Sequence, residues 1–447
     1  MKAPIPLIER TVSSRPRPRF AICTLGCKLN QSDEEEIRRD LRSAGLTEVA
    51  FADQADVYIV NTCTVTHLAD RRSRQMLRRA KRQNPESLVA AIGCYPSVAP
   101  EELRAIDEVD LVAGSIDKLT VVDDILTRVE WDHAAFDLER PLDQVETRTR
   151  RTIKIQEGCR AHCTYCVIPR ARGGPRNIGP DQVAKEMQQS VESGYREIVL
   201  TGTHVGTYKW PNGDQTLRLA DLLEYVLDHT AVERLRVTSV GPHEIDERFI
   251  SILKRPRMSP HLHMALQSGS TTVLRRMKRW YNLQQFRRSV RRLREEIPEI
   301  GITTDVIVGF PGETDQEFQE TCDFAREMAF AKIHVFPFSA RRETAAASMP
   351  DQIPSRVKDR RSARLRDIAD DLHTSFVHSQ LSYETEVLLE QPHDDILPGT
   401  TVWNGFTGNY LRVYVPSSDN LHNRIVTVVP EAAIRDGALS GAPVRIS

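Results

Sequence analysis

The chain reads as an α/β protein with three parts. These are an N-terminal doubly wound parallel-sheet domain, a central partial (β/α)6 barrel and a small C-terminal antiparallel β-barrel. Three observations carry this. Between residues 20 and 130, short apolar runs alternate with stretches of helical periodicity. A longer strand–helix series fills residues 151–377. From 378 onward the helical periodicity stops, and short β-type runs separated by turn residues take over. At 447 residues the chain exceeds what one core supports, so several domains are expected.

Residues 1–19 are polar and rich in Pro and Arg, without the apolar core of a secretory signal. They read as a disordered tail. No run of 18 or more apolar residues occurs, so no membrane span is expected, and the cytoplasm is the expected compartment. The N-terminal domain, residues 20–130, opens with the apolar run FAICTLGC (20–27), followed by a helical stretch (34–45) that stops at Gly45. VYIVNTC (57–63) and LVAAIGC (88–94) are buried-type strands. A strongly basic helix (68–83) lies between them and a short one (99–106) follows. Apolar strands joined by helical crossovers make a parallel sheet. Residues 131–150, polar and mixed in charge, read as a linker.

The central domain, residues 151–377, offers six strands: 152–158, 197–202, 234–240, 261–267, 302–309 and 333–339. Helical stretches such as 180–194, 217–229 and 315–328 separate them. A closed eight-unit barrel takes about 250 residues, so the shorter span predicts an open, partial one. A basic helical stretch (354–377) then leads to the last domain, residues 378–447. There ETEVLLEQ, TVWNGFTGNYLRVYV, NRIVTVVP and APVRIS predict a small β-barrel, with OB-like geometry as one option.

With 61 Lys+Arg against 62 Asp+Glu, attraction to a polyanion must come from local patches. Two runs qualify. Residues 71–82 carry seven basic residues and no acid, and residues 275–294 carry nine, with Trp280 and Tyr281 interleaved. Such runs suit phosphate contacts, and an aromatic can stack on an unpaired base, although a solvated helix face looks the same. The last domain has four Arg and eight acids from His378 on, so an RNA contact there would centre on Trp403, Phe406, Tyr410 and Arg412.

Eight cysteines are too few for a disulfide scaffold, but seven lie in the first 166 residues. Cys27, Cys63 and Cys94 each end a predicted strand, 36 and 31 residues apart. Sites in open α/β sheets form at the carboxyl ends of strands, so three thiolates there can hold a metal or an iron–sulfur cluster. Buried cysteines that merely pack are the alternative. Cys159, Cys163 and Cys166 form C-x3-C-x2-C directly after the first strand of the second series. Thiolates at this density favour zinc or iron–sulfur. No fourth cysteine follows, and His162 between two of them is awkward as a fourth zinc ligand. Three thiolates on a four-iron cluster leave one iron open to a small molecule. Cys23 and Cys322 read as packing residues. The chain has no G-x4-G-K-[ST] loop, no H-E-x-x-H and no G-x-S-x-G.

QEGCRAHCTYCVIPRARG (156–173) resembles the signature of the radical S-adenosylmethionine (radical SAM) enzymes. The resemblance implies a [4Fe-4S] cluster whose open iron is chelated by SAM, and reductive cleavage of SAM to a 5′-deoxyadenosyl radical. GCKLNQ (26–31), VNTCTVT (60–66) and IGCYPS (92–97) are similar to the cysteine motifs of the methylthiotransferases. LTGTHVGTY (200–208), HLHMALQSGS (261–270), TTDVIVGFPGET (303–314) and HVFPFS (334–339) are similar to that group's core motifs. That group implies two [4Fe-4S] clusters, an auxiliary one on Cys27, Cys63 and Cys94 and a catalytic one on Cys159, Cys163 and Cys166. The final domain resembles the RNA-binding TRAM barrel.

GCKLNQ and LTGTHVGTY look most like the members that methylthiolate C2 of N6-threonylcarbamoyladenosine at tRNA position 37. Isopentenyl-adenosine in tRNA and a ribosomal-protein aspartate are the substrates of sister groups. The partners implied are tRNA, an electron donor and a sulfur source. Expected SAM contacts are Gly202, which ends the second barrel strand, Gln267 and Ser268, which end the fourth, and Asp305 in the fifth. The rival from another class is a non-catalytic RNA-binding protein with structural zinc.

Overall fold

A computed structural model describes residues 17–118, 120–129, 149–397, 400–434 and 437–446. Most of the tail expected at 1–19 and of the linker expected at 131–150 lies outside the described residues. The chain divides into two compact units, residues 1–143 and 144–447. Among the described residues no helix is long and apolar enough to cross a membrane.

In the first unit, strands β1 (Arg19–Thr24), β2 (Thr47–Glu48), β3 (Val57–Thr62), β4 (Leu88–Gly93) and β5 (Leu111–Gly114) form one sheet, ordered β2-β1-β3-β4-β5. Every pairing is parallel. Helices α1 (Lys28–Ser43), α2 (His67–Gln83), α3 (Cys94–Val98), α4 (Pro100–Arg104) and α5 (Thr120–Arg128) complete it. β3 is buried along its whole length because apolar cores lie on both faces. One holds Ile37, Val57, Ile59 and Ile125, the other Tyr58, Val60 and Leu77. The strand order turns between β1 and β3, so their carboxyl ends flank a topological switch point. β2 and β5 went unread in the sequence, being two and four residues long. α1 begins at Lys28 rather than at 34, since its polar first turns carry no apolar period.

In the second unit come β6 (Arg150–Glu157), α6 (Ile168–Arg172), β7 (Arg176–Asn177), α7 (Pro180–Glu192), β8 (Glu197–Gly202), β9 (Lys209–Asn212) and β10 (Gln215–Arg218). Next are α8 (Leu219–His229), β11 (Arg234–Val237), α9 (Glu247–Leu253), β12 (His261–His263), α10 (Thr271–Arg276), α11 (Leu283–Glu296), β13 (Gly301–Val308), α12 (Asp315–Met328) and β14 (Lys332–Pro337). β6, β8 and β11 pair in parallel, as do β12, β13 and β14. A parallel bridge between Val240 and Met264 links the two halves. Six parallel strands therefore run in chain order, with antiparallel β7 beside β6, as an open partial barrel. Ile198, Leu235, Leu262, Ile302 and Val306 pack outward against Val183, Leu222, Phe249, Val290 and Phe318 of the helices.

Helix α13 (Ser355–Ser379) leads to β15 (Thr385–Leu397), β16 (Thr400–Thr407), β17 (Arg412–Ser417), β18 (Ile425–Val428), β19 (Ala432–Ile434), β20 (Ala438–Ser440) and β21 (Pro443–Ile446). They make one sheet, antiparallel except between β17 and β20. It packs on the amino ends of the barrel strands. Glu197, fully buried, is held by Arg236 at 2.8 Å and Arg234 at 3.4 Å. These guanidiniums also donate to the carbonyls of Phe406 (3.0 Å) and Gly408 (2.9 Å).

The RNA contact expected around Trp403, Phe406, Tyr410 and Arg412 needs correction. Trp403 is buried in the core, its Nε1 donating to Asp419 O. Phe406 and Tyr410 stack on each other beneath Arg150 of the barrel. Of the four, Arg412 alone is exposed.

Candidate functional site

Three Gly-Cys steps shape the two candidate centres. Gly26, Gly93 and Gly158 have φ of +109°, +98° and +78°, and each turns the chain into the cysteine that follows. At Gly158 a Cβ would also stand 2.1 Å from the carbonyl oxygen of Gly174.

In the first unit, β1 stops at Thr24, and Cys27 is the extended N-cap residue just before α1. Its thiol is exposed at the N-terminus of that 16-residue helix. Cys63 and Cys94 follow β3 and β4 directly and are buried. Burial pushes the Cys63 thiol up to about 12, and the neighbouring Cys94 and Cys27 push the same way. Ser115 Oγ lies 3.7 Å from Cys94 Sγ as a donor. Two asparagines that sequence reading missed tie the loops together. Asn30 Nδ2 donates to the carbonyls of Leu25 (2.8 Å) and Thr62 (3.1 Å), and Asn61 Nδ2 donates to Asn30 O (2.8 Å). Their only sequence signal is membership of GCKLNQ and VNTCTVT.

In the second unit, Cys159, Cys163 and Cys166 lie on the loop between β6 and α6. Thr164 pins that loop to the end of α10, its N and Oγ1 donating to the carbonyls of Met277 (3.1 Å) and Arg276 (3.0 Å). Ala161 N donates to Cys159 Sγ and Arg279 Nη1 to Cys163 Sγ, both at 3.3 Å. Arg279 in turn lies over Trp280 at 4.2 Å and Tyr281 at 4.8 Å. Burial pushes the Cys166 thiol up to about 12, with Cys163 and Cys159 adding to it, and raises Cys159 as well.

Thiols raised in this way ionise only beside a cation, which bound iron supplies. Among the described residues no three His, Cys, Asp or Glu side chains converge as one metal ion would require. A cubane places each thiolate on its own iron and so spaces its ligands wider. In donor chemistry, three thiols apiece, both sets suit such a cluster.

The expected SAM contacts fall into different positions. Gly202 ends β8, and a Cβ there would come within 2.6 Å of Gln156 O, so close strand packing alone requires glycine. Gln267, at φ +68°, bridges to Val306 at the rim, its N donating to Asp305 O at 2.8 Å. Ser268 is buried, its hydroxyl on Thr321 Oγ1 (3.2 Å) and accepting from Ser270 N (3.1 Å), so it faces α12. Asp305 lies deeper, with Oδ2 3.2 Å from His263 Nε2. Cys322 is fully buried in the barrel core and Cys23 half-buried in β1.

The basic run at 275–294 is largely committed within the fold. Arg276 pairs with Glu317 (2.8 Å), Arg287 with Glu327 and Arg292 with Glu247 (3.1 Å), while Tyr281 is buried. Trp280 remains exposed. On α2, by contrast, Arg71, Arg72, Arg78, Arg79 and Arg82 are exposed and form no ion pair among the described residues. That helix carries a positive surface suited to phosphates.

Residues 153–325 match the family model described as the radical SAM superfamily, and residues 19–114 match the one described as uncharacterized protein family UPF0004. The chain is 38% identical to the threonylcarbamoyladenosine tRNA methylthiotransferase MtaB of Bacillus subtilis (strain 168), covering 91% of this chain and 92% of that protein. It is 32% identical to the tRNA-2-methylthio-N(6)-dimethylallyladenosine synthase of Caldicellulosiruptor saccharolyticus, covering 86% and 85%. In fold it is similar to the radical S-adenosylmethionine methyltransferase TsrM of Kitasatospora setae, with a TM-score of 0.52 and 15% identity over 74% of this chain and 77% of the other.

Proposed function

The chain belongs to the radical SAM tRNA methylthiotransferases, and from that premise we propose that it methylthiolates C2 of N6-threonylcarbamoyladenosine at position 37, using two [4Fe-4S] clusters. One observation carries the count of two. Two separate sets of three cysteines stand past the carboxyl ends of parallel strands in two separate sheets. Cys27, Cys63 and Cys94 hold the auxiliary cluster. Cys159, Cys163 and Cys166 hold the cluster that binds SAM. The choice of substrate is supported by GCKLNQ and LTGTHVGTY, and by the higher identity to the relative named for threonylcarbamoyladenosine.

Bound at that cluster, SAM supplies one-electron chemistry strong enough for an unactivated C–H bond, which acid–base catalysis does not reach. The chain's own residues supply position. Arg279 ties Cys163 to the end of β12, and Gly202 and Gln267 form the rim against which we place SAM. Ser268 anchors that rim to α12, and Asp305 faces the lumen beneath it. Residues 20–130 serve as the auxiliary-cluster domain, 151–377 as the radical SAM core, and 378–447 as the TRAM-type domain. The exposed arginines of α2 meet tRNA phosphates. An electron donor and a sulfur source complete the reaction.

The test is to incubate the reconstituted protein, SAM and a reductant with tRNA carrying threonylcarbamoyl-, isopentenyl- or unmodified adenosine at position 37. Mass spectrometry of the digested nucleosides is expected to show a methylthio product from the threonylcarbamoyl tRNA alone. Product from the isopentenyl tRNA alone would move the chain to the sister group.

A further inference from the structure

The hairpin β9–β10 carries two neighbouring cations beside the strand that leads into the Cys159 loop. Its strands are joined through Gly213 and Asp214, with Gly213 at φ +58°. The register sets Lys209 opposite Arg218, Trp210 opposite Leu217 and Pro211 opposite Thr216. Alternation puts Trp210 and Leu217 on one face. Trp210 packs on the barrel core and closes over Gly179, so that face is turned inward. Lys209, Pro211, Thr216 and Arg218 share the other face, and all four are exposed. Like charges directly opposite each other destabilise a strand pair. Neither cation has a counter-charge, since Lys209 and Arg218 form no ion pair among the described residues. Asp221, three residues on, is taken by the Arg218 amide (2.8 Å) and by Arg248 (2.9 Å), and Asp214 sits at the far end of the hairpin. The hairpin is fixed to the side of the barrel that holds the second set of cysteines. Asn177 Nδ2 donates to Lys209 O at 2.9 Å, and Asn177 stands opposite Gln156 where β7 pairs with β6. Gln156 is three residues before Cys159, roughly 10 Å of extended chain. Two more arginines lie along this path. Arg176 pairs with Glu157 at 3.5 Å and stays exposed. Arg160, on the cysteine loop itself, is exposed, forms no ion pair among the described residues, and lies with its Nε against Gly174, two residues before β7.

We propose that Lys209 and Arg218 clamp a backbone phosphate of the tRNA anticodon arm and so hold its loop beside the Cys159, Cys163 and Cys166 centre. This rests on the tRNA reading above, and not on the choice of nucleoside at position 37. A phosphodiester carries a full negative charge on two free oxygens, which a guanidinium and a neighbouring ammonium can share. The bound anion removes the repulsion that the register builds into the free hairpin. The whole face is open to solvent, so it suits a polymer held at several points along its backbone better than a small anion that needs enclosing. Phosphate contacts fix register and orientation without reading bases. Lys209 and Arg218 are therefore positioning residues, which bring the loop to the centre and leave the choice of base to other groups.

The experiment measures the affinity of cluster-loaded protein for a synthetic anticodon stem-loop with unmodified adenosine at position 37, from about 50 to 200 mM salt. One variant combines Lys209→Gln with Arg218→Gln. A second, Lys209→Arg with Arg218→Lys, keeps both charges. Both are compared with the wild type at equal iron content, which reports an intact fold. The neutral variant is expected to bind about tenfold more weakly at the lowest salt, and its plot of log affinity against log salt is expected to be shallower by about 1. The charge-keeping variant is expected to stay within about twofold of the wild type and to keep its slope. A neutral variant with the wild-type slope would overturn the contact and leave the tRNA reading standing. So would a charge-keeping variant that loses as much affinity as the neutral one. A wild type with no salt-dependent affinity for the stem-loop would overturn both.

Discussion

Arg279 sits in a run of nine basic residues, yet its guanidinium donates to Cys163 Sγ and is stacked on two aromatic rings. A hydrogen bond and a positive charge beside a cluster sulfur stabilise the reduced, more negative cluster, so they raise its potential. Arg279→Leu is therefore expected to lower the potential of the Cys159–Cys163–Cys166 cluster by on the order of 50 mV, with Arg279→Lys in between. A potentiometric titration followed by electron paramagnetic resonance reads the shift, and an unchanged potential would refute the role. The places of Cys27, Cys63 and Cys94 past their strands were legible because their spacing repeats the β–α unit, and those of Cys159, Cys163 and Cys166 because they crowd one loop after a strand. Arg279 was not, because a buried arginine inside a charge run looks like its solvated neighbours. Asn30 and Asn61 were hidden for a related reason: their reciprocal bonds join segments 31 residues apart.

Among the elements, β8 and β11 do more than build the barrel wall, since Glu197, Arg234 and Arg236 hold the final sheet to its floor. Burial opposes the charge on Glu197, yet Arg236, Arg234 and Arg150 hold its carboxyl down to about 2. A carboxyl depressed in the folded state stabilises the fold above its unfolded value, about 4.3, and that contribution is lost as pH falls toward 2. The docking of residues 378–447 is therefore expected to weaken between about pH 4.3 and 2, as limited proteolysis at stepped pH would show. Glu197→Gln, which leaves two buried arginines without their anion, is expected to cost about 3–5 kcal/mol at neutral pH and to remove that acid transition. An unaltered acid profile in the variant would contradict this. The barrel strands were legible as apolar runs, and β8 ran from 197 to 202 as read. This anchoring was not, because Arg234 meets a carbonyl 172 residues further along the chain. It also explains why Phe406 and Tyr410, read as RNA contacts, pack against Arg150 instead.

For the molecule as a whole, a formal net charge of −1 hides a segregation of charge. The exposed arginines of α2 lie in the first unit, while residues from His378 on carry eight acids and four arginines. That exposed positive surface therefore lies on the part of the chain that holds Cys27, Cys63 and Cys94. The central claim remains that two thiolate-held clusters exist on two independent sheets. Counting iron and sulfide after anaerobic reconstitution tests it most directly, in the wild type and in two triple Cys→Ala variants. One variant removes Cys27, Cys63 and Cys94, and the other Cys159, Cys163 and Cys166. About eight irons in the wild type, falling to about four in each variant, is the predicted result. About four irons in the wild type, with none lost from the first variant, would contradict it.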